Sequence, residues 1–156
     1  MTKLKIIRKK MDDWEHVELC GLVNEEANEL FIKLQGETKT KFRFIFRDVT
    51  NISSSGVRAW LLFLHDFHVN RQLELAECSS AIVEQLNMIP NFSSHTKVTS
   101  IYATYFCTEC LLAKNVLIEA ADFPRLLKDL ASAPCEKCGR PTDLDGGDGI
   151  VQFLSY

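Results

Sequence analysis

Four cysteines in the C-terminal third of the chain carry its clearest chemical signal. They form two Cys-x-x-Cys pairs, Cys107 with Cys110 and Cys135 with Cys138. A two-residue gap lets both thiolates of a pair converge on one metal ion, while backbone N–H groups of the tight turn point at the sulfurs. Two such pairs complete a tetrahedral four-sulfur site, so the spacing predicts bound Zn²⁺. Gly139 follows the second pair, as a tight turn favours.

The predicted zinc site is structural, because four thiolates leave no open position for a substrate or a water molecule. Such a site would hold together a C-terminal segment that is too small to bury a core of its own. Two other interpretations of the same cysteines are a redox-active dithiol and disulfide pairing. Nothing else in the sequence is typical of a secreted chain, which favours reduced thiols and a cytoplasmic protein.

The composition limits the classes of function. The chain has 156 residues and a formal net charge of −3, which argues against a surface that binds nucleic acid. The N-terminus alternates basic and apolar residues, unlike a signal peptide, and no apolar run is long enough for a membrane span. We therefore expect no membrane insertion. Cys20 and Cys78 lie in apolar, strand-like segments and are expected to be small buried side chains.

Hydrophobic periodicity predicts an α/β fold with a mixed sheet. The order is two strands, then alternating helices and strands with right-handed crossovers. Asn24 is the predicted N-cap of the first helix, and Ser79 or Ser80 that of the third. The predicted strands are 4–8, 14–20, 42–49, 73–78 and 97–106, of which the last leads directly into Cys107. This predicts an α/β domain at 1–105 and a four-cysteine, zinc-ribbon-like tail at 106–156.

The tail has a pattern of its own. Apolar spacing predicts a strand at 111–118 and a short helix at 122–131. Residues 142–144 and 150–154 look like the two strands of a hairpin around the Gly/Asp run at 145–149. That run lacks the bidentate Glu of a calcium loop, so we expect a turn.

Three serines and a glycine, Ser53, Ser54, Ser55 and Gly56, stand where the central strand gives way to the second helix. One interpretation is an N-cap, in which a serine hydroxyl accepts a helix N–H and Gly56 allows close packing. The other is a phosphorylation switch, because a helix N-terminus tolerates phosphate and the added charge would transform a neutral surface. The residues alone leave both interpretations open.

The segment 49–57, Val-Thr-Asn-Ile-Ser-Ser-Ser-Gly-Val, together with the order of elements over 4–106, resembles the STAS domain (sulphate transporter and anti-sigma factor antagonist). The resemblance implies that Ser55 is the serine phosphorylated by a partner kinase and that Ser54 matches the serine before it. The family's Asp is replaced by Ser53. Residues 77–90 and 105–107 also resemble a bacterial subgroup of STAS-like proteins with a C-terminal cysteine-rich ribbon.

The resemblance implies a non-enzymatic signalling protein that binds a protein partner, such as an anti-sigma-type kinase, through the serine turn and the following helix. Arg58, one turn into that helix, would partly offset a phosphate. One alternative is an unphosphorylated STAS scaffold subunit of a transport-type assembly. Another is a zinc-ribbon that binds nucleic acid. It is disfavoured because acidic residues outnumber basic ones in the tail by eight to five.

No catalytic constellation is recognisable in the sequence. The serine turn lacks the Gly two residues before the serine that a nucleophile elbow needs, and no Gly-rich phosphate cradle is present. His65 and His68 have the i, i+3 spacing of some metal sites but no Glu-x-x-His companion, so we expect solvated or capping histidines. The sequence therefore predicts that the protein is not an enzyme.

Overall fold

The computed structural model of the protein describes residues 3–128 and 134–155. Its larger sheet has five strands in the order β1-β2-β3-β4-β5, with an antiparallel β1–β2 hairpin and parallel pairing from β2 onward. The predicted α/β fold with a mixed sheet is therefore confirmed. The strands are β1 (Lys5–Met11), β2 (Trp14–Val23), β3 (Lys41–Ile52), β4 (Gln72–Ala76) and β5 (Lys97–Val98).

Three helices connect the parallel strands: α1 (Ala27–Gln35), α2 (Ser54–Phe67) and α3 (Ser80–Met88). The long helix α2 owes its position to an aromatic stripe that packs on alternate residues of β3. The indole ring of Trp60 lies edge-on to Phe44 at 5.3 Å between ring centroids, and its Nε1 donates to the Phe92 carbonyl at 2.8 Å. Phe42 makes a similar edge contact with Phe67 at 4.8 Å. These contacts fix where α2 begins, which is where the serine turn lies.

The other face of the sheet is polar. Arg43 and Arg47 alternate with the buried phenylalanines of β3, and they pair with Glu74 at 2.7 Å and with Glu77 at 3.0 Å. Ile45 lies between the two arginines and is buried. Long charged side chains thus cover the face that carries no helix, with their aliphatic stems against apolar atoms.

Residues 97–106 do not form one strand, contrary to the prediction. The chain leaves the first sheet at Thr99, whose N–H donates to the Leu75 carbonyl at 2.8 Å, and then enters a second sheet. This antiparallel sheet has the order β7-β6-β8, with β6 (Ser100–Cys107), β7 (Leu112–Glu119) and β8 (Asp143–Leu144). The Ser100 hydroxyl accepts the Glu77 N–H at 2.8 Å and holds the crossing point. The alternation of apolar and polar residues is the same in β5 and β6, so the sequence pattern contains no sign that the strand is interrupted at Thr99.

The predicted hairpin at 142–154 is also wrong. β8 pairs with β6, and Gly147–Ser155 is 3-10 helix rather than strand. The side chain of Asn87 in α3 explains the difference, because it donates to the Ile150 carbonyl at 3.0 Å and accepts the Phe153 N–H at 2.8 Å. This clamp turns Ile150 and Phe153 toward the core, where both are buried.

Smaller corrections concern helix ends. The N-cap position of α1 is Glu26, not Asn24; the Asn24 side chain instead accepts the Glu26 N–H at 3.0 Å, in a turn ahead of the helix. Ser79 is the N-cap residue of α3, but its buried hydroxyl has no hydrogen-bond partner in the described part of the chain.

The predicted tail helix begins with a 3-10 turn, Ala120–Asp122, and continues as α4 (Phe123–Lys128). The remainder of that prediction, 129–131, lies outside the described residues. Cys78 is fully buried, as predicted, and Cys20 is half-buried. Within the described ranges, no helix has both the length and the apolar character that a membrane crossing requires.

Candidate functional site

The structure brings the four cysteines of the two pairs together. Cys107 ends β6, Cys110 lies in the turn before β7, and Cys135 and Cys138 lie in the loop before β8. All four sulfur atoms lie within 4.8 Å of one another, and Cys107 Sγ is 3.6 Å from Cys138 Sγ. Zinc–sulfur bonds of about 2.3 Å in a tetrahedron place sulfurs about 3.8 Å apart. The four thiols can therefore hold a metal ion.

Local backbone geometry supports the second pair. The Gly139 N–H donates to the Cys135 carbonyl at 2.8 Å, and Gly139 has a φ of +70°, where glycine is favoured. Backbone N–H groups of Cys138 and Lys137 donate to the Cys135 sulfur and lower its pKa to about 7. Hydrogen bonding to Cys138 raises the pKa of Cys110 to about 12. The turn thus stabilises a thiolate, the form that binds metals.

Two ion pairs connect the segments that carry the cysteine pairs. Lys114 of β7 pairs with Glu136, and Arg140 pairs with Glu109 at 2.7 Å. All four side chains are exposed, so each pair contributes little to stability on its own. Each of them joins the segment of one cysteine pair to the segment of the other.

The serine turn is the second candidate site, and a chain of hydrogen bonds organises it. The Ser53 hydroxyl accepts the Gly56 N–H at 3.1 Å and lies 2.8 Å from the Ser55 hydroxyl, which donates to Glu25 Oε2 at 2.8 Å. Because the Ser55 hydrogen points at the carboxylate, the Ser53 hydroxyl supplies the hydrogen between the two serines. Ser53 is therefore the N-cap residue of α2, as one of the two sequence interpretations requires.

Gly56 is required by its contact with the end of β2. A Cβ atom at this position would lie 2.2 Å from the Val23 carbonyl oxygen, closer than atoms in proteins approach. The Ser53 N–H donates to the same carbonyl at 2.9 Å. The serine turn is thus fixed against the end of β2 by the backbone hydrogen bond of Ser53 and by the close approach that Gly56, without a side chain, allows.

Ser54, Ser55 and Arg58 are exposed, whereas Ser53 is half-buried. Ser55, Arg58 and Leu62 follow one another at i, i+3 and i, i+7 spacing, so they share one side of α2, and Leu62 is 58% exposed. This side of the helix begins at the serine turn and continues along α2.

Glu25 is the site residue that sequence reasoning missed. Its carboxylate accepts hydrogen bonds from its own backbone N–H and from the Ser55 hydroxyl, and both lower its pKa. In the sequence, Glu25 is recognisable only as a charged residue near the start of a helix, 30 residues from Ser55. The available signal was indirect: parallel neighbours β2 and β3 end at the same edge of the sheet, so the residues that follow them meet.

The discounted motifs build no further site within the described ranges. His65 is exposed, and the imidazole of His68 hydrogen-bonds to the Leu64 carbonyl at 2.9 Å and stacks on His95 at 3.8 Å between ring centroids. Gly146 and Gly147 have positive φ, as the predicted turn needs. Among described residues, the four cysteines are the one cluster of potential metal ligands with three or more members.

Comparison with known proteins finds likeness among solved structures. No protein-family model and no curated protein matches the sequence. Among solved structures, the chain is similar to a Thermotoga maritima protein solved as a candidate anti-sigma factor antagonist. The two share 18% identity, the alignment covers 60% of this chain and 84% of that chain, and the TM-score is 0.49.

Proposed function

We propose that the chain is a non-enzymatic regulatory protein that binds a protein partner through the serine turn and the exposed side of α2. The observation that carries this proposal is that Ser53 caps α2 while Ser55 does not take part in the cap. Ser53 caps the helix, so the exposed residue Ser55 can be modified without loss of the cap. The segment is the one that resembles STAS anti-sigma factor antagonists.

The proposed switch is phosphorylation of Ser55 by an anti-sigma-type partner kinase. A phosphoserine carries about −1.5 to −2 charges at neutral pH, and it would stand at the centre of the binding surface. The N-terminus of α2 tolerates this charge, but an apolar or acidic partner surface does not. Phosphorylation should therefore release the partner.

For the tail, we infer that the four cysteines bind Zn²⁺ in a structural role. The compact sulfur cluster and the turn that stabilises a thiolate support this inference. Reduced thiols at such a site fit a cytoplasmic location. The division of the chain into domains at 1–105 and 106–156 stays a prediction.

The test of the partner surface is affinity capture from source cells with the full-length chain as bait. Leu62→Asp places a charge on the exposed side of α2, two turns beyond Ser55, and should abolish capture of the partner. Lys10→Asp is the matched control, because Lys10 is exposed beside the start of β2, at the opposite end of the sheet from the serine turn. Equal loss in both variants, or loss in neither, would contradict the proposed surface.

The test of the switch uses the captured partner with a nucleoside triphosphate, followed by mapping of the phosphorylated residue. We expect phosphate on Ser55, its absence in Ser55→Ala, and weaker partner binding by Ser55→Asp than by Ser55→Ala. Equal partner binding by the wild type and Ser55→Asp, without phosphate transfer, would replace the switch with the scaffold alternative.

A further inference from the structure

The end of β2 and the loop that follows it are bonded to the serine turn at the shared edge of the sheet. Three contacts join them: the Ser53 N–H to the Val23 carbonyl, the close approach of Gly56 to the same carbonyl, and the Ser55 hydroxyl to the Glu25 carboxylate. The first two involve backbone and persist whatever happens to a side chain. Only the third depends on the chemical state of Ser55.

The first turn of α1 is built on the residues that this third contact holds. The N–H groups of Glu26 and Ala27 bond to the side chain and the carbonyl of Asn24, at 3.0 and 3.1 Å. The Asn28 N–H bonds to the Glu25 carbonyl at 3.1 Å. No side chain caps α1. A displacement of Glu25 therefore acts directly on the backbone that starts this helix.

We propose that the conformation of the first turn of α1 depends on whether Ser55 is phosphorylated, with Glu25 as the positioning residue that couples them. This inference rests on the proposed function, because it takes Ser55 as the residue that is modified. In the unmodified protein Glu25 holds the hydroxyl hydrogen and directs the free lone pair of Oγ away from itself. In the phosphorylated protein the same carboxylate is repelled.

The chemical step removes the only hydrogen that Glu25 receives from Ser55. A kinase transfers the γ-phosphoryl group of a nucleoside triphosphate to Ser55 Oγ: the Oγ–P bond forms, the bond to the nucleoside diphosphate breaks, and the hydroxyl proton passes to solvent. Glu25 then faces a dianion without a bridging hydrogen. The hydrogen-bond chain from Gly56 through Ser53 loses its carboxylate end.

Electrostatics decides which side of the contact moves. The phosphate lies in the first turn of α2, where free N–H groups and the helix dipole attract it, and α2 is held by the buried ring of Trp60. Glu25 is exposed just ahead of an uncapped nine-residue helix, and once the Ser55 hydrogen is gone its carboxylate keeps its own backbone N–H as a partner but is repelled by the phosphate. Glu25 and the first turn of α1 are therefore the parts that move. The altered surface then includes both the serine turn and the loop between β2 and α1.

The experiment installs phosphoserine at position 55 during synthesis of the full chain and follows the amides of Glu26, Ala27 and Asn28 by NMR hydrogen exchange. We expect their exchange to accelerate by on the order of tenfold, since like charges repel strongly at this separation even in water. The amides of β3 should not change. The carboxyl pKa of Glu25, lowered in the unmodified protein, should rise.

Two variants keep the test decisive. Phosphoserine at position 54 adds the same charge but keeps the hydrogen bond from the Ser55 hydroxyl to Glu25, so it should accelerate exchange of the three amides much less. Glu25→Gln with phosphoserine at position 55 removes the repelled charge and should abolish most of the acceleration. Unchanged exchange with phosphoserine 55, or equal acceleration in either variant, would overturn the coupling. Because no kinase or partner is used, absence of a natural kinase would defeat the proposed switch without affecting this result.

Discussion

The serine turn and the cysteine cluster are held in place by different means. The serine turn lies where two parallel strands end beside a long helix, and packing fixes it: Trp60 is 1% exposed and Gly56 touches the end of β2. The cysteine cluster lies at the end of a small sheet whose strand β7 is mostly exposed, and Cys138 is itself exposed. Cys107 and Cys135 are buried, but they lie on segments joined by few other contacts than the four thiols. A site at the edge of a large core needs no ligand to keep its shape, whereas we expect this one to need a metal ion.

The strongest test of this comparison is removal of the metal. Purified protein should carry about one Zn²⁺ per chain, as a closed four-thiolate site binds. Cys135→Ser or chelation should remove it and loosen the four-cysteine tail first, because apparent zinc binding of about 10–16 kcal/mol can supply the folding energy of small zinc sites. The larger sheet should stay protected. Metal analysis and hydrogen exchange on the same samples measure both effects.

Cys20→Ser is the matched control for the metal, since Cys20 is half-buried in the larger sheet and lies outside the cluster. This variant should keep its zinc. Freshly reduced wild-type protein without zinc, in which all four clustered thiols titrate freely, would show that the tail is held by other means.

The next largest effect is expected from Gly56→Ala. A Cβ atom 2.2 Å from the Val23 carbonyl oxygen forces α2 away from β2, and overpacking of this kind costs about 1–3 kcal/mol or more of unfolding free energy. Gly36→Ala is the control, because its added Cβ would meet the nearest atom, the Lys33 carbonyl oxygen, at 3.7 Å. Urea unfolding of both variants measures the difference. Equal stability of the two would mean that the serine turn is not fixed by packing.

Ser53→Ala should have an intermediate effect, since loss of an N-cap costs about 1 kcal/mol. Ser55→Ala should change the unfolding free energy by no more than about 0.5 kcal/mol, as exposed substitutions usually do. The comparison of these two neighbours by urea unfolding separates the cap from the modifiable residue. A reversed order of the two effects would assign the cap to Ser55.

Acid should produce the smallest effect on the larger sheet. Burial lowers the pKa of His16, so the unfolded chain takes up a proton first, and stability falls as the pH drops below the ordinary histidine pKa of about 6.5. His16→Gln should flatten this dependence between pH 7 and 5. Measurement in the Cys135→Ser background removes the separate acid sensitivity of metal binding. An unchanged slope in His16→Gln would assign the dependence to another group.

Local sequence patterns were sufficient to predict much of the fold and of the two candidate sites. The phenylalanine-rich strand, the serine-capped helix and the two cysteine pairs each carry their signal within a few residues, and each is found where the sequence placed it. The errors fall where distant contacts decide. The break at Thr99 depends on the Leu75 carbonyl, and the helical form of the C-terminal segment depends on the side chain of Asn87.

The sequence by itself determined the residue types: four thiols at metal-binding spacing, a serine turn before a helix, and a glycine beside it. Spacing within a turn is a local property, because a few bonds limit the positions of the atoms concerned. The spacing also predicted that the two cysteine pairs share one site, but only the tertiary structure brings them together and places Glu25 against Ser55. Both facts depend on which strands lie side by side, and strand neighbours are chosen by the packing of the whole chain rather than by any short segment.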